Sequence, residues 1–334
     1  MPNMQVHAAV VIHPRPLYST MRLSLTSSFS LLLLTSLFLM TSSCPSNGAT
    51  EDLREVLTGR CVQYKTTVNP SAVCGPLKEV NCTAVVNSFI EAFAGQQPCN
   101  VSMTRYDAFL SATRHNMPAD QSLFWHSVYG WVHRYSQGGL RKITLEDTLT
   151  GYMIDGLRFC SDPSREGGIG GPETSFCPTF GHTDNCSLNA EVSFWSAASK
   201  DFATKARGII TVMLNASTGE GFSDTSFFGR LELPNLNASV VTHANIWLVQ
   251  QPGDVIKERC DSETIQKLQT RFREKSISST CIFNPQDVMW ILCWDHQDDP
   301  QCRDLVASGG QSSVVMTTPL RLLFIVLLIV MRLV

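Results

Sequence analysis

Twelve cysteines, all between Cys44 and Cys302, constrain this 334-residue chain more than any other feature. Upstream of them runs an apolar stretch, Phe29 to Met40, with Arg22 before it and the small residues Thr41, Ser42 and Ser43 after it. That is the layout of a secretory signal. It is short for a membrane span, which needs about 20 apolar residues, so a retained N-terminal anchor is the weaker reading. Residues before Met21 read as an upstream extension, and 1–43 is set aside as targeting sequence. An even number of cysteines behind such a signal predicts disulfides rather than zinc. With no CxxC pair and no Cys/His cluster, the sequence offers no metal site.

The other end repeats the theme. Ser308, Gly309 and Gly310 are followed by a polar spacer and an apolar tail, Leu322 to Val330, which is the pattern of a GPI-attachment signal over 304–334 with Ser308 as the attachment residue. A short single-pass anchor is the competing reading. Sequons stand at Asn81, Asn100, Asn185, Asn215 and Asn237, while Pro70 disqualifies Asn69. Together these features place the protein on the extracellular face of the plasma membrane, with the lumen of a secretory vesicle as a second location. A net charge of −3 with no long basic run provides no footprint for a phosphate backbone, which excludes nucleic acid as a partner.

Hydrophobic residues at 43% against 16% charged fit a chain with a sizeable core. Val85, Val86, Phe89, Ile90 and Phe93 recur at helical spacing, as do Phe124, Val128, Trp131, Val132 and Tyr135, so the first half reads as mostly helical. From Ser161 to Asn185 the chain is rich in Gly, Pro, Ser and Thr and reads as an exposed loop. Its glycines lack the strand and helix that a dinucleotide fingerprint requires. Ile209 to Leu214 and Val240 to Gln250 are strand-like, and Thr264 to Lys275 is an amphipathic helix. Alternation of these elements predicts a small, partly parallel sheet.

Three stretches carry a family resemblance: Leu123-Phe124-Trp125, the run Thr144 to Tyr152 (TLEDTLTGY), and Phe227 to Leu233 (FFGRLEL). With Phe194-Trp195 and Val212 to Asn215, they resemble the ADP-ribosyl cyclase / NAD glycohydrolase family from about Cys61 to Cys302. Read without that resemblance, each residue has a plainer role. Glu146 and Asp147 follow Thr144 as capping acids do. Glu232 lies between two leucines as a solvent-facing strand residue would, and Trp125 and Trp195 would be core or rim aromatics.

The resemblance implies a different set of roles. Glu232 is the catalytic acid that supports an oxocarbenium-like ribose. Glu146 recognises the nicotinamide amide and influences hydrolysis against cyclisation. Trp125 and Trp195 flank the pocket, and Asp155 is a further nicotinamide-side acid. On one continuous helix Asp155 and Glu146 would face apart, so the helix has to break near Gly151. Phe227 and Phe228 line the substrate side, and an aromatic at Phe227 favours a folded substrate and hence cyclisation. Ser127 replaces a diphosphate-binding arginine, leaving His126 and Ser199 to assist the phosphates.

The resemblance also implies the pairings Cys61 with Cys82, Cys99 with Cys186, Cys160 with Cys177, Cys260 with Cys281, and Cys293 with Cys302. A sixth family bridge is missing at Ala119 and Arg207. Cys44 and Cys74 are left over. The implied fold is α/β with α+β character. It has a mainly helical N-terminal domain (44–118 and 144–206) and an α/β C-terminal domain (119–143 and 207–303) with a short parallel sheet, the active site lying in the interdomain cleft. NAD is then a substrate and no cofactor is needed. NADP through base exchange, a lipid-anchored membrane association and a homodimer are further expectations. The rival reading is a GPI-anchored receptor or adhesion protein of the same fold with little activity.

Overall fold

The computed structural model describes residues 48–68, 79–136, 141–179 and 185–309. The N-terminal signal, the C-terminal apolar tail, Cys44 and Cys74 lie outside them. The chain forms two compact units, the first from residues up to Thr113 with Met153–Ala197, the second from Arg114–Tyr152 and the residues from Ala198 onward. The sequence expectation had put the crossings at 118/119, 143/144 and 206/207. Two contacts account for the later two shifts. The Glu146 carboxylate accepts the indole N–H of Trp125, on the first strand, at 3.4 Å, and Phe202 packs on Phe124 with ring centroids 5.2 Å apart. Both flanking segments therefore belong with the sheet.

The first unit is helical. Its helices are α1 (Leu53–Gln63), α2 (Cys82–Phe93) and α3 (Asp107–Ala112). The side chain of Asn81 accepts the N–H groups of Thr83 and Ala84 and so caps the start of α2. The spacing read from the sequence places Phe89 on the buried face of α2. Its ring centroid lies 5.0 to 5.9 Å from those of Phe93, Tyr106, Phe109, Phe159 and Phe194. Edge-to-face pairs of this kind add to the stabilisation from area burial. The Tyr106 hydroxyl donates to the Ala190 carbonyl at 2.9 Å, and burial raises its pKa well above the usual tyrosine value.

Disulfides Cys61–Cys82, Cys99–Cys186 and Cys160–Cys177 staple this unit. The glycine-rich loop is clipped by the last of them, but it is not simply exposed: Gly168, Gly170 and Gly171 are buried. Gly168 has a φ of +70°, and a Cβ there would come within 2.3 Å of the Gly95 nitrogen. Close packing explains the other two as well, since a Cβ at Gly170 would meet the Cys160 Sγ at 2.5 Å and one at Gly171 the Arg165 guanidinium at 2.9 Å.

The second unit is built on four parallel strands in the order β1-β2-β3-β4, where β1 is Leu123–His126, β2 Gly208–Asn215, β3 Val241–Val249 and β4 Ser278–Phe283. Trp125 is level with Met213, and Met213 with Trp247. The run from Phe124 to Tyr135, expected as one helix, is a strand followed by a helix. Phe124 belongs to β1, Ser127 turns the chain at a φ of +58°, and α4 begins at Tyr129 and ends at Ser136. Val128, Trp131, Val132 and Tyr135 do form a helical pattern, and they pack with Leu123, Met213 and Met289 in one core.

Helix α5 is Leu149–Ile154, α6 Ala190–Lys205 and α7 Leu233–Asn235. Helix α8 (Glu263–Glu274) buries Ile265, Leu268 and Phe272, as its amphipathic pattern predicts. Two further helices, α9 (Gln286–Cys293) and α10 (Pro300–Gly309), are joined by the disulfide Cys293–Cys302, and Cys260–Cys281 ties the approach of α8 to β4. All five pairings implied by the resemblance are present. At the missing bridge, the Asp120 N–H donates to the Arg207 carbonyl at 3.1 Å, so the two strand entries remain side by side without sulfur.

Candidate active site

Glu232 is not on a strand. Residues Phe228–Glu232 form a helical turn wound more widely than an α-helix, which runs directly into α7, with Pro234 in the first turn of α7. Single turns of this kind bulge a side chain out of helical register. Gly229 makes the turn possible, because a Cβ there would lie 2.2 Å from the Ser223 carbonyl oxygen. The Glu232 side chain ends up buried, at 8% exposure. Burial pushes its carboxyl up to about 8, the charge of Glu146 pushes in the same direction, and a hydrogen bond with the Ser199 side chain partly opposes both.

Glu146 and its neighbour Asp147 divide the two roles weighed for them. Asp147 is the capping acid: its carboxylate accepts the Thr144 N–H at 2.8 Å and the Thr144 hydroxyl at 3.0 Å. Glu146 takes no part in that box and accepts the Trp125 indole N–H at 3.4 Å. The turn Leu145–Asp147 ends at Thr148, which is extended (ψ 159°) before α5 starts. The break expected at Gly151 therefore falls at Thr148. Gly151 has another function, since a Cβ there would meet the Leu145 carbonyl oxygen at 2.3 Å and the Glu146 Cα at 2.7 Å. Each acid thus rests on a turn with a glycine where only bare backbone fits.

Trp125 lies near the carboxyl end of β1, the end of parallel strands where ligands bind in open α/β sheets. The rings of Tyr129 and His133, at 5.7 and 6.0 Å, meet it edge-on. Neither residue was singled out in the sequence, although their spacing of four on α4 was an available signal. His126 ends β1, with its Nε2 3.3 Å from the Ser127 hydroxyl. Burial lowers its pKa despite the opposing charge of Glu220, so it is neutral at neutral pH and brings no positive charge for a diphosphate. Ser199 lies against the catalytic candidate, its side chain hydrogen-bonded to the Glu232 carboxyl.

Phe227 and Phe228 separate in the same way. Phe228 is 1% exposed and packs against Phe124, Phe222 and Phe272, so it is a core residue and not a substrate contact. Phe227 is half-buried, and the exposed Arg230 places its guanidinium carbon 4.6 Å from the ring centre. Arg230 is a cation that the sequence reading overlooked. In the first unit, Trp195 is half-buried with its ring 4.9 Å from that of Phe194. On α6 it precedes Ser199 by one helical turn. Asp155 follows α5, and its backbone carbonyl accepts from Arg60 at 2.6 Å. The second unit brings Glu232, Glu146, Trp125 and Ser199 into one interacting set.

Among the sequons, Asn81, Asn100, Asn185 and Asn237 are exposed. Asn215 differs, since its side-chain nitrogen donates to the Ser127 carbonyl at 3.0 Å and its oxygen accepts the Ser217 N–H at 2.7 Å. A glycan on that nitrogen would break the tie between the ends of β1 and β2. Among the described residues no cluster of His, Cys, Asp or Glu could hold a metal ion.

A buried, hard-to-ionise carboxyl beside a second acid and an indole has the character of an enzyme active site. The comparisons agree with that class and narrow it: the family model for ADP-ribosyl cyclase matches residues 50–302, and the chain belongs to that family. It is 32% identical over 268 residues to an ADP-ribosyl cyclase/cyclic ADP-ribose hydrolase of Aplysia californica, covering 79% of this chain and 92% of the relative. To the human ADP-ribosyl cyclase/cyclic ADP-ribose hydrolase 2 it is 31% identical over 256 residues, 76% of each chain. Among solved structures, an Aplysia cyclase complexed with substrate NGD and product cGDPR superposes with a TM-score of 0.66 at 30% identity, covering 76% of this chain and 97% of that one. Porcine CD38 with a covalent intermediate, a ribo-F-ribose-5'-phosphate, gives 0.65 at 32% identity, covering 71% and 97%.

Proposed function

We propose that this chain cleaves the nicotinamide–ribose bond of NAD, releasing nicotinamide and forming cyclic ADP-ribose, ADP-ribose or both. The observation that carries the reading is the buried Glu232 carboxyl, held up to about 8 by its surroundings. Nicotinamide leaves as a neutral base from a cationic ring, so the departing group needs no proton, and the positive charge passes to the ribose carbon. An ionised Glu232 against that carbon stabilises the charge most when it is fully developed. Ser199 orients the carboxyl, and Glu146 is placed to accept the amide N–H of nicotinamide while its own charge makes Glu232 harder to ionise until a cation is present. Water then adds to the ribose carbon to give ADP-ribose, or adenine N1 adds to it to give the cyclic product. The reading requires no cofactor.

An aromatic residue at Phe227 supports holding the adenine folded back, and so favours appreciable cyclisation. NADP as a base-exchange substrate, tethering to the outer membrane face through a lipid at Ser308, and pairing as a homodimer complete the reading. One assay tests the central part: NAD turnover followed by nicotinamide and cyclic ADP-ribose together. Nicotinamide release with a measurable cyclic fraction is the expected result. Exclusive ADP-ribose removes the cyclisation preference, and no nicotinamide release restores the receptor reading.

A further inference from the structure

The exposed apolar residues of the second unit include two tryptophans on one helix. Trp290 is 40% and Trp294 73% exposed. Trp294 still has helical dihedrals (φ −56°, ψ −38°) at the end of α9, so the two indoles stand one turn apart on the same face. The opposite face of α9 buries Val288, Met289 and Leu292. Burial of a large ring is its ordinary use. Two adjacent indoles left in solvent, on a helix whose other face is fully packed, therefore call for a partner.

The path of the chain says what the partner is. Cys293, next to Trp294, is bonded to Cys302 with their Cα atoms 5.2 Å apart. From Cys302, α10 reaches Ser308 in less than two turns, about 9 Å. The sequence then continues through a polar spacer to the apolar run Leu322 to Val330. We propose that the outer face of α9, presenting Trp290 and Trp294, lies in the interfacial layer of a zwitterionic phosphocholine bilayer and orients the ectodomain on its membrane. The inference rests on the lipid-anchor reading, which brings the surface within about 20 Å of these indoles. Tryptophan, with an apolar body and one N–H donor, partitions to that layer. Charge selects the lipid: with Asp295 paired to Arg134, Asp287, Asp298, Asp299 and Asp304 stand along this stretch against Arg303 and His296, which repels an anionic surface and suits a neutral one.

The test uses the full chain with its anchor, reconstituted into phosphocholine vesicles whose acyl chains carry bromine as a fluorescence quencher. With two of six tryptophans in the interface, wild-type emission is expected to fall by up to about a third. The Trp290→Ser/Trp294→Ser double variant should lose that quenching while keeping its NAD turnover, and phosphatidylserine in the vesicles should reduce quenching of the wild type. Equal quenching of both proteins, or none in vesicle-bound wild type, overturns the proposal. So does a wild-type dimer that the double substitution dissociates, which would give the face to a second copy. Release by phosphatidylinositol-specific phospholipase C reads the anchor separately. A chain that resists release refutes the lipid anchor, while the quenching still decides the tryptophan face.

Discussion

Glu232→Gln is expected to lose about three orders of magnitude in the rate of nicotinamide release from NAD, with its fold intact. Glutamine keeps the shape of the side chain and can still bond the Ser199 hydroxyl, so the change removes charge and little else. At an effective dielectric of about 20, two unit charges about 4 Å apart attract by about 4 kcal/mol. Each 1.36 kcal/mol at the transition state is a factor of about ten, which gives the thousandfold loss. Single-turnover nicotinamide release by the two purified proteins measures it. Rates within a factor of a few of each other would take the charge on this carboxyl out of the mechanism.

The same substitution should make the protein more stable above neutral pH. Glu232 has a pKa raised from 4.5 to about 8 in the folded chain. Between those values the folded state holds a proton that the unfolded state has released, so stability falls as pH rises through that window. Below the unfolded value both states are protonated and there is no penalty. The glutamine of the variant titrates in neither state, so the gap between variant and wild type should open from about pH 5 and level off above about pH 8. Its plateau is on the order of 5 kcal/mol. Denaturant unfolding at pH 5, 7 and 8.5 checks it. A gap that stays the same at all three values would mean that Glu232 does not change its ionisation on folding. Opposite signs for rate and stability in one variant are the mark of a group kept in an unfavourable place for its chemistry.

Much of the fold was legible in the residues because burial imposes periodicity. α2 and α8 followed from apolar spacing, β2 and β3 from β-branched runs, and the five disulfides from the family resemblance. Phe124 misled because a strand residue happened to stand four before a helical one, and only pairing with β2 separates them. The later unit crossings shift for the same reason, since Glu146 and Phe202 are held to β1 by contacts that no local pattern encodes.

In the site, local rules sorted neighbours poorly. Asp147 caps while Glu146 meets Trp125, and Phe228 is core while Phe227 is half-buried beneath Arg230. Each pair is adjacent in sequence, and the difference lies in which way a turn points its side chains. The strand-like alternation around Glu232 concealed a wide helical turn for the same reason, and the two glycines that permit these turns carry no signal of the carbonyl oxygens they pass. Ser199, expected near the phosphates, is hydrogen-bonded to the Glu232 carboxyl, a long-range contact beyond any spacing argument.

The central claim is that Glu232 is a buried acid kept neutral by its surroundings and by Glu146 until a cation arrives. Infrared difference spectroscopy of wild type against Glu232→Gln tests it most directly, by following the protonated-carboxyl band that only the wild type possesses. That band is expected to persist at pH 7, to disappear as pH passes about 8, and to disappear at lower pH in Glu146→Gln. A band already lost by pH 5 would show an ordinary ionised glutamate and contradict the account.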